Sequence, residues 1–185
     1  MFEVLYEACK PKRGTRYSAY VDLFSREDVV IGAGETKIVP LGVKIDLDNL
    51  YDSLKNDEPE LVQGDYRAYL WEQFMKSHYL EVALRSSLGV KGLIISNGIG
   101  IIDLDFTSEI KLIVHNPIGL VDYNVHTNVI MEYGIRNSDG YSKSVKIAKG
   151  EKVAQCTLKE HKGYLMGYES DVVCDGGFGS TGDKA

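Results

Sequence analysis

The stretch Gly92-Leu93-Ile94-Ile95-Ser96-Asn97-Gly98-Ile99-Gly100-Ile101-Ile102-Asp103, followed shortly by Glu109-Ile110-Lys111-Leu112-Ile113-Val114-His115, reads as three short strands, 92–95, 98–102 and 109–115. Each run is rich in β-branched residues, too short for a helix and bounded by glycine or polar residues. Working outward, 28–31, 36–47 and 151–158 carry the same signature. Only 65–78 reads as helix, because Tyr66, Leu70 and Phe74 recur at four-residue spacing with Tyr69 beside them. No internal repeat is present. The expected fold is all-β, a sandwich or jelly roll that manages its edges by packing sheet on sheet.

At 185 residues the chain suits one domain, 1–185, with a substantial core. Two stretches look inserted into the β framework. Residues 49–80 are polar and hold the helical segment. Residues 121–149 hold two β-like pieces, 128–133 and 143–147, around Asn137-Ser138-Asp139-Gly140, whose Asp-Gly step signals a hairpin. Both read as decoration or interaction surface, and the 121–149 arm is the natural place for a partner protein. A net charge of −6 argues against a general nucleic-acid binder, whose footprint would be basic. No apolar run is long enough to span a membrane. Cys9, Cys156 and Cys174 show no paired spacing, so free thiols in a reducing cytoplasm are expected.

Several segments carry residues suited to chemistry on a nucleotide's phosphate chain. Arg85-Ser86-Ser87 offers a planar guanidinium, hydroxyls and backbone N–H groups to phosphate oxygens. Asn97 to Asp103 reads as a hairpin presenting two strand edges whose alternating N–H and C=O groups, including those of Gly100 and Ile102, can pair with a pyrimidine. Its glycines permit close approach, and a cramped turn excludes a 5-methyl group. Asp103 ends the segment, where a carboxylate can deprotonate a water. Phe106 lies against a sugar ring or in the core. Asp22 can steer a hydrated metal, and Gln155 can donate an amide to phosphate. The tail Gly176 to Gly182 is too glycine-rich for a helix or strand. It suits a flap in which Phe178 stacks on a base while Gly179, Ser180 and Thr181 meet phosphates, closing when substrate supplies contacts.

Together, Ala19-Tyr20-Val21-Asp22-Leu23, Arg85-Ser86-Ser87, Gly100 to Phe106, Gly150 to Gln155 and Gly176 to Gly182 resemble, in this order, the five motifs of the trimeric dUTPases. The resemblance implies a jelly-roll homotrimer with active sites shared between subunits, hydrolysing dUTP to dUMP and pyrophosphate with Mg²⁺ held mainly by the triphosphate. It also implies a cytoplasmic location, or a host cell's cytoplasm for a viral or phage relative. In that likeness Asp103 is the base, Asn97 and the neighbouring backbone read uracil, and Phe106 sits against deoxyribose. Arg85, Ser86, Ser87 and Gln155 hold phosphates, Asp22 contacts the metal through water, and Phe178 stacks on uracil. The chain departs from the pattern at four places. Tyr20 and Ser108 stand where glycines are usual, Phe106 replaces a tyrosine, and Val173-Cys174 replace the arginine and glycine that open the flap motif. Two other readings compete. One is a nucleotide-responsive regulatory protein acting through its insertions. The other is a dCTP deaminase-like enzyme, disfavoured because Ile113 stands where that family places a catalytic glutamate and Glu109 comes too early.

Overall fold

The computed structural model describes residues 1–57, 67–117, 121–124, 129–132, 135–137, 140–142 and 144–167. The chain begins with β1 (Phe2–Val4), β2 (Lys12–Arg13), β3 (Val21–Phe24), β4 (Val29–Gly32), β5 (Thr36–Pro40) and β6 (Val43–Ile45). Helices α1 (Leu47–Asp57) and α2 (Arg67–Ser77) follow, then β7 (His78–Leu84), the short helix α3 (Ser86–Val90), β8 (Ile94–Ile95), β9 (Gly100–Asp103) and β10 (Lys111–His115). The remainder is β11 (Val121–Asn124), β12 (Val129–Glu132), β13 (Ile135–Asn137), β14 (Gly140–Ser142), β15 (Ser144–Ile147) and β16 (Lys152–Glu160).

The main sheet is antiparallel, in the order β2-β3-β16-β7-β9. A smaller sheet, β5-β10-β8, and the pairs β15-β4 and β1-β6 complete the framework. Alternation along each strand sends one face inward. Leu23, Leu80, Val82 and Ala154 from the main sheet join Ile31, Val39, Leu112, Val114 and Ile147 in one core, each at most 1 % exposed. This is the expected jelly-roll class of fold.

Several boundaries differ from the sequence reading. The 36–47 run breaks into β5 and β6 at Leu41-Gly42, because Gly42 has φ +64 and a Cβ there would sit 2.7 Å from Cys9 Sγ. Segment 97–103 is no hairpin. β8 pairs with β10 while β9 pairs with β7, so the intervening residues turn a corner between two sheets. Arg85-Ser86-Ser87 opens α3, with Arg85 at its N-cap. β15, assigned by sequence to the arm, pairs with β4 and buries Val145 and Ile147, so it belongs to the framework. Of the arm's strands, β11 pairs with β12 and β13 with β14, and none of the four pairs with a framework strand among the described residues.

The helical region is integrated with the core. Leu50 of α1 and Phe74 of α2 are 2 % and 7 % exposed. A ladder of rings runs from Tyr51 to Trp71 (5.2 Å, edge-on), Phe74 (5.7 Å, stacked) and His78 (4.2 Å, stacked). Aromatic pairs of this kind add about 0.5–1.5 kcal/mol each beyond area burial. They fasten the helices to the start of β7. α1 is capped by Asp46, whose Oδ1 accepts from Asn49 N at 3.0 Å.

At Gly100 the backbone of β9 lies so close to β7 that a Cβ would meet Val82 Cβ at 3.1 Å and Val82 O at 3.2 Å. Gly89, in α3, has nothing within 4 Å. Gly100→Ala is therefore expected to lower the unfolding free energy by about 1–3 kcal/mol. Gly89→Ala should leave it unchanged or raise it by up to about 1 kcal/mol. Urea titrations at one protein concentration read both, and equal midpoints would contradict the close approach.

Candidate active site

The outward face of the main sheet carries the polar residues in register. Asp22, Gln155 and Ala83 form one row, Thr157, Glu81 and Ile101 the next, and Lys159, Tyr79 and Asp103 a third. At the first row, the Asp22 side chain is only 3 % exposed and lies between two cations. Arg85 Nη1 donates to its Oδ1 at 2.7 Å. Lys152 Nζ stands 2.9 Å from Oδ2, close enough for an ion pair but outside hydrogen-bond geometry. Gln155 is the cross-strand neighbour of Asp22 and is half-buried. Lys12, on β2, is the cross-strand backbone neighbour of Asp22 on its other side. The acidic chain thus gathers positive charge at this end, as phosphate recognition requires.

Backbone contacts fix these side chains. Arg85 N donates to Val153 O at 3.0 Å, joining the end of β7 to the start of β16. Ser86 and Ser87 lie exposed in the first turn of α3, whose Leu88 is fully buried. Just beyond, Lys91 Nζ pairs with Glu151 Oε1 at 2.7 Å, and Glu151 Oε2 accepts from Ala148 N at 2.9 Å. The Arg-Ser-Ser segment and the 150–155 segment are therefore held as one unit. Cys156 lies directly beneath. Burial foremost, with the Asp22 charge adding, pushes its thiol up to about 12, so it stays protonated and takes no part in chemistry.

Asp103 stands at the other end of β7, opposite Tyr79, on a strand at the edge of the main sheet. Its side chain is exposed, as is Asn97 at the corner between sheets. Ile102 and Phe106 are half-buried and packed against the core, so the Phe106 ring is anchored from behind. Tyr79 and Arg85 are six residues apart along an extended chain, a separation of about 20 Å. One protomer therefore brings Asp22, Arg85 and Gln155 together but holds Asp103 well away from them. Tyr20 crosses the face between the two ends. Its hydroxyl donates to Glu81 Oε1, and Tyr79 donates to Oε2 at 3.2 Å. The bond to Glu81 raises the Tyr20 phenol above its ordinary value and keeps it a donor. The flap residues Phe178, Gly179, Ser180 and Thr181, with Val173 and Cys174, lie outside the described residues.

Sequence reasoning did not single out Lys152. Its signal was its place beside Gln155, which becomes readable only once Asp22 is known to pair with that strand. Among the described residues no three of His, Cys, Asp and Glu gather as a metal-ligand set. Asp22, expected to contact a metal through water, has its oxygens turned to two cations and is buried beneath them. These side chains do not fit a resident Mg²⁺ site. Glu109 is equally committed, with Oε2 accepting from Arg26 at 2.7 Å and Oε1 from Gly42 N at 2.8 Å. Its role is structural, against the deaminase alternative. No helix among the described residues is long and apolar enough to cross a membrane.

No protein-family model matches the chain. It is 26 % identical over 179 residues to the deoxyuridine 5'-triphosphate nucleotidohydrolase of Rickettsia canadensis (strain McKiel), covering 93 % of this chain and 87 % of that protein. The protein of the same name from Rickettsia massiliae (strain Mtu5) is 29 % identical over 175 residues, with the same coverage. Among solved structures, the chain is similar to the dUTPase from Streptococcus mutans, at 22 % identity and a TM-score of 0.53, covering 86 % of this chain and 94 % of that one. It is also similar to the dUTPase from phage phi11 of S. aureus, which has a species-specific insert, at 18 % identity and a TM-score of 0.53, with 97 % of each covered. The structural likenesses carry the fold, and the sequence relatives extend along nearly the whole length of both partners. Over 93 % of its length the chain is thus similar in sequence to dUTPases, and it shares their fold.

Proposed function

We propose that this protein hydrolyses the magnesium complex of dUTP to dUMP and pyrophosphate, as a homotrimer whose active sites are shared between subunits. The observation that carries the reading is the separation of about 20 Å between Asp103 and the Arg85 end of β7. A base must stand within one water of the phosphorus under attack, while the guanidinium must touch oxygens of the same phosphate chain. No side chain spans that gap within one protomer. Pairing the Asp103 edge of one copy with the Arg85 end of another supplies both halves.

In the composite site, Asp103 takes a proton from a water whose oxygen bonds to the α-phosphorus. The bond from that phosphorus to the bridging oxygen breaks, and pyrophosphate leaves with the electron pair. Arg85, Ser86, Ser87 and Gln155 hold the phosphate oxygens and keep the chain in line. Asn97 and the backbone from Gly98 to Ile102 read the uracil edge, and the anchored Phe106 presents its free face to deoxyribose. The 176–182 flap closes over the nucleotide with Phe178 on the base and Gly179, Ser180 and Thr181 on phosphate. Mg²⁺ arrives with the triphosphate as part of the substrate. The strands of 121–142, which pair only with each other among the described residues, serve as a surface for a protein partner.

Pyrophosphate release should be fastest with dUTP among dUTP, dTTP, UTP and dCTP, and should fall when Mg²⁺ is chelated. Faster turnover of dTTP would reject the uracil reading, and ammonia release from dCTP would point to deamination. Asp103→Asn is expected to lower kcat by about 10²–10⁴-fold while retaining affinity for a non-hydrolysable dUTP analogue; unchanged kcat removes Asp103 from the role of base. Mixing inactive Asp103→Asn and Arg85→Ala subunits by co-refolding should restore activity at roughly a quarter of the sites, the statistical share that draws both intact residues from different copies. A mixture as inactive as its parents would rule out sharing.

A further inference from the structure

We propose that Lys152 is a second phosphate-binding cation of this site, placed beside Arg85 by a β-bulge and by the buried charge of Asp22. The inference rests on the triphosphate reading above and adds a residue to it.

Gln155 pairs with Asp22 on the outward face, so strict alternation would turn Lys152, three positions away, toward the core. The register shifts between Lys152 and Ala154. Lys152 lies opposite Phe24 and Ala154 opposite Leu23, so two steps on β16 match one on β3. The extra residue inverts the alternation. Val153 and Ala154 are consecutively buried, both at 0 % exposure, and Lys152 emerges on the same face as Asp22 and Gln155. On the other side of β16 the pairing with β7 stays regular, and the carbonyl of Val153 accepts the Arg85 amide at 3.0 Å. The regular ladder to β7 thus fixes the Arg85 backbone, and the bulge toward β3 aims Lys152 at the same spot.

The electrostatics fit a ligand. Asp22 supplies one negative charge beneath two cations, leaving a net positive charge at the surface. Arg85 and Lys152 side chains remain 31 % and 48 % exposed above the 3 % exposed carboxylate. Arg85 Nε is buried with no hydrogen-bond partner among the described residues, and Lys152 is tethered by charge without an aligned hydrogen bond. The ammonium keeps its donors for an incoming oxyanion, while the attraction to Asp22 limits its wandering.

Calorimetric titration of the full chain with a non-hydrolysable imido analogue of dUTP, with pyrophosphate and with dUMP, tests this. Lys152→Met should weaken analogue binding by about 10- to 100-fold and flatten its salt dependence, while Lys152→Arg keeps most of the affinity. Lys152→Gln serves as a second neutral variant, and melting curves confirm folding of each. Analogue affinity within twofold of the original in both neutral variants overturns the proposal, as does a Lys152→Arg variant as weak as Lys152→Met. If the unaltered protein prefers another triphosphate over dUTP, the substrate reading fails, and a Lys152 effect on that triphosphate would still uphold the inference. Failure to bind any triphosphate overturns both.

Discussion

A carboxylate stripped of water is costly unless cations surround it, and Asp22 is in that position, 3 % exposed between Arg85 and Lys152. The three charges come from different parts of the chain. Asp22 belongs to β3, Arg85 follows β7, and Lys152 begins β16, with the latter two strands flanking one another. Removing one partner from such a buried arrangement typically costs about 3–5 kcal/mol, because a charge is left uncompensated. The interaction therefore fixes the mutual position of the groups that would face phosphate. The neighbouring Lys91–Glu151 pair is more exposed and adds little by Coulomb attraction alone. Its use is geometric, since Glu151 also closes the turn before β16.

From that fixed end, the length of β7 sets the rest of the arrangement. Asp103 is placed opposite Tyr79 because β9 pairs along the first half of β7, and Gly100 lets the two backbones approach closely enough to pair. The edge position of β9 leaves Asp103 and Ile101 facing outward, with Ile101 62 % exposed. A strand edge with an exposed apolar side chain favours contact with another molecule. The split between the two ends and the outward exposure of the Asp103 edge thus have the same geometric cause. Tyr20, standing where the family usually has glycine, spans the interval by bonding to Glu81, so the departure adds a bridge across the sheet.

Much of the framework was legible in the sequence. β-branched runs marked β4, β8, β9, β10 and β16 to within a few residues, and four-residue spacing marked α2. α1 was missed although Leu47, Leu50, Tyr51 and Leu54 follow helical spacing. Its polar intervening residues masked a narrow apolar stripe that becomes decisive only when Trp71 and Phe74 pack against it. The supposed hairpin at 97–103 failed for a related reason. Local pattern reports that two strands exist, while partner choice depends on distant strands, here β10 and β7. Likewise 143–147 carried a correct strand signal but an incorrect address, because its partner β4 lies more than a hundred residues earlier.

The order of residue types along the chain determined the class of fold and the likeness to dUTPases, since periodicity and motif spacing are local properties written directly in sequence. Tertiary structure alone decided that Asp22 is buried under two cations, that Lys152 belongs with Arg85, and that Asp103 stands apart from both. Those facts depend on strand register, a bulge and burial, which arise from contacts between residues remote in sequence and leave no mark on the local pattern.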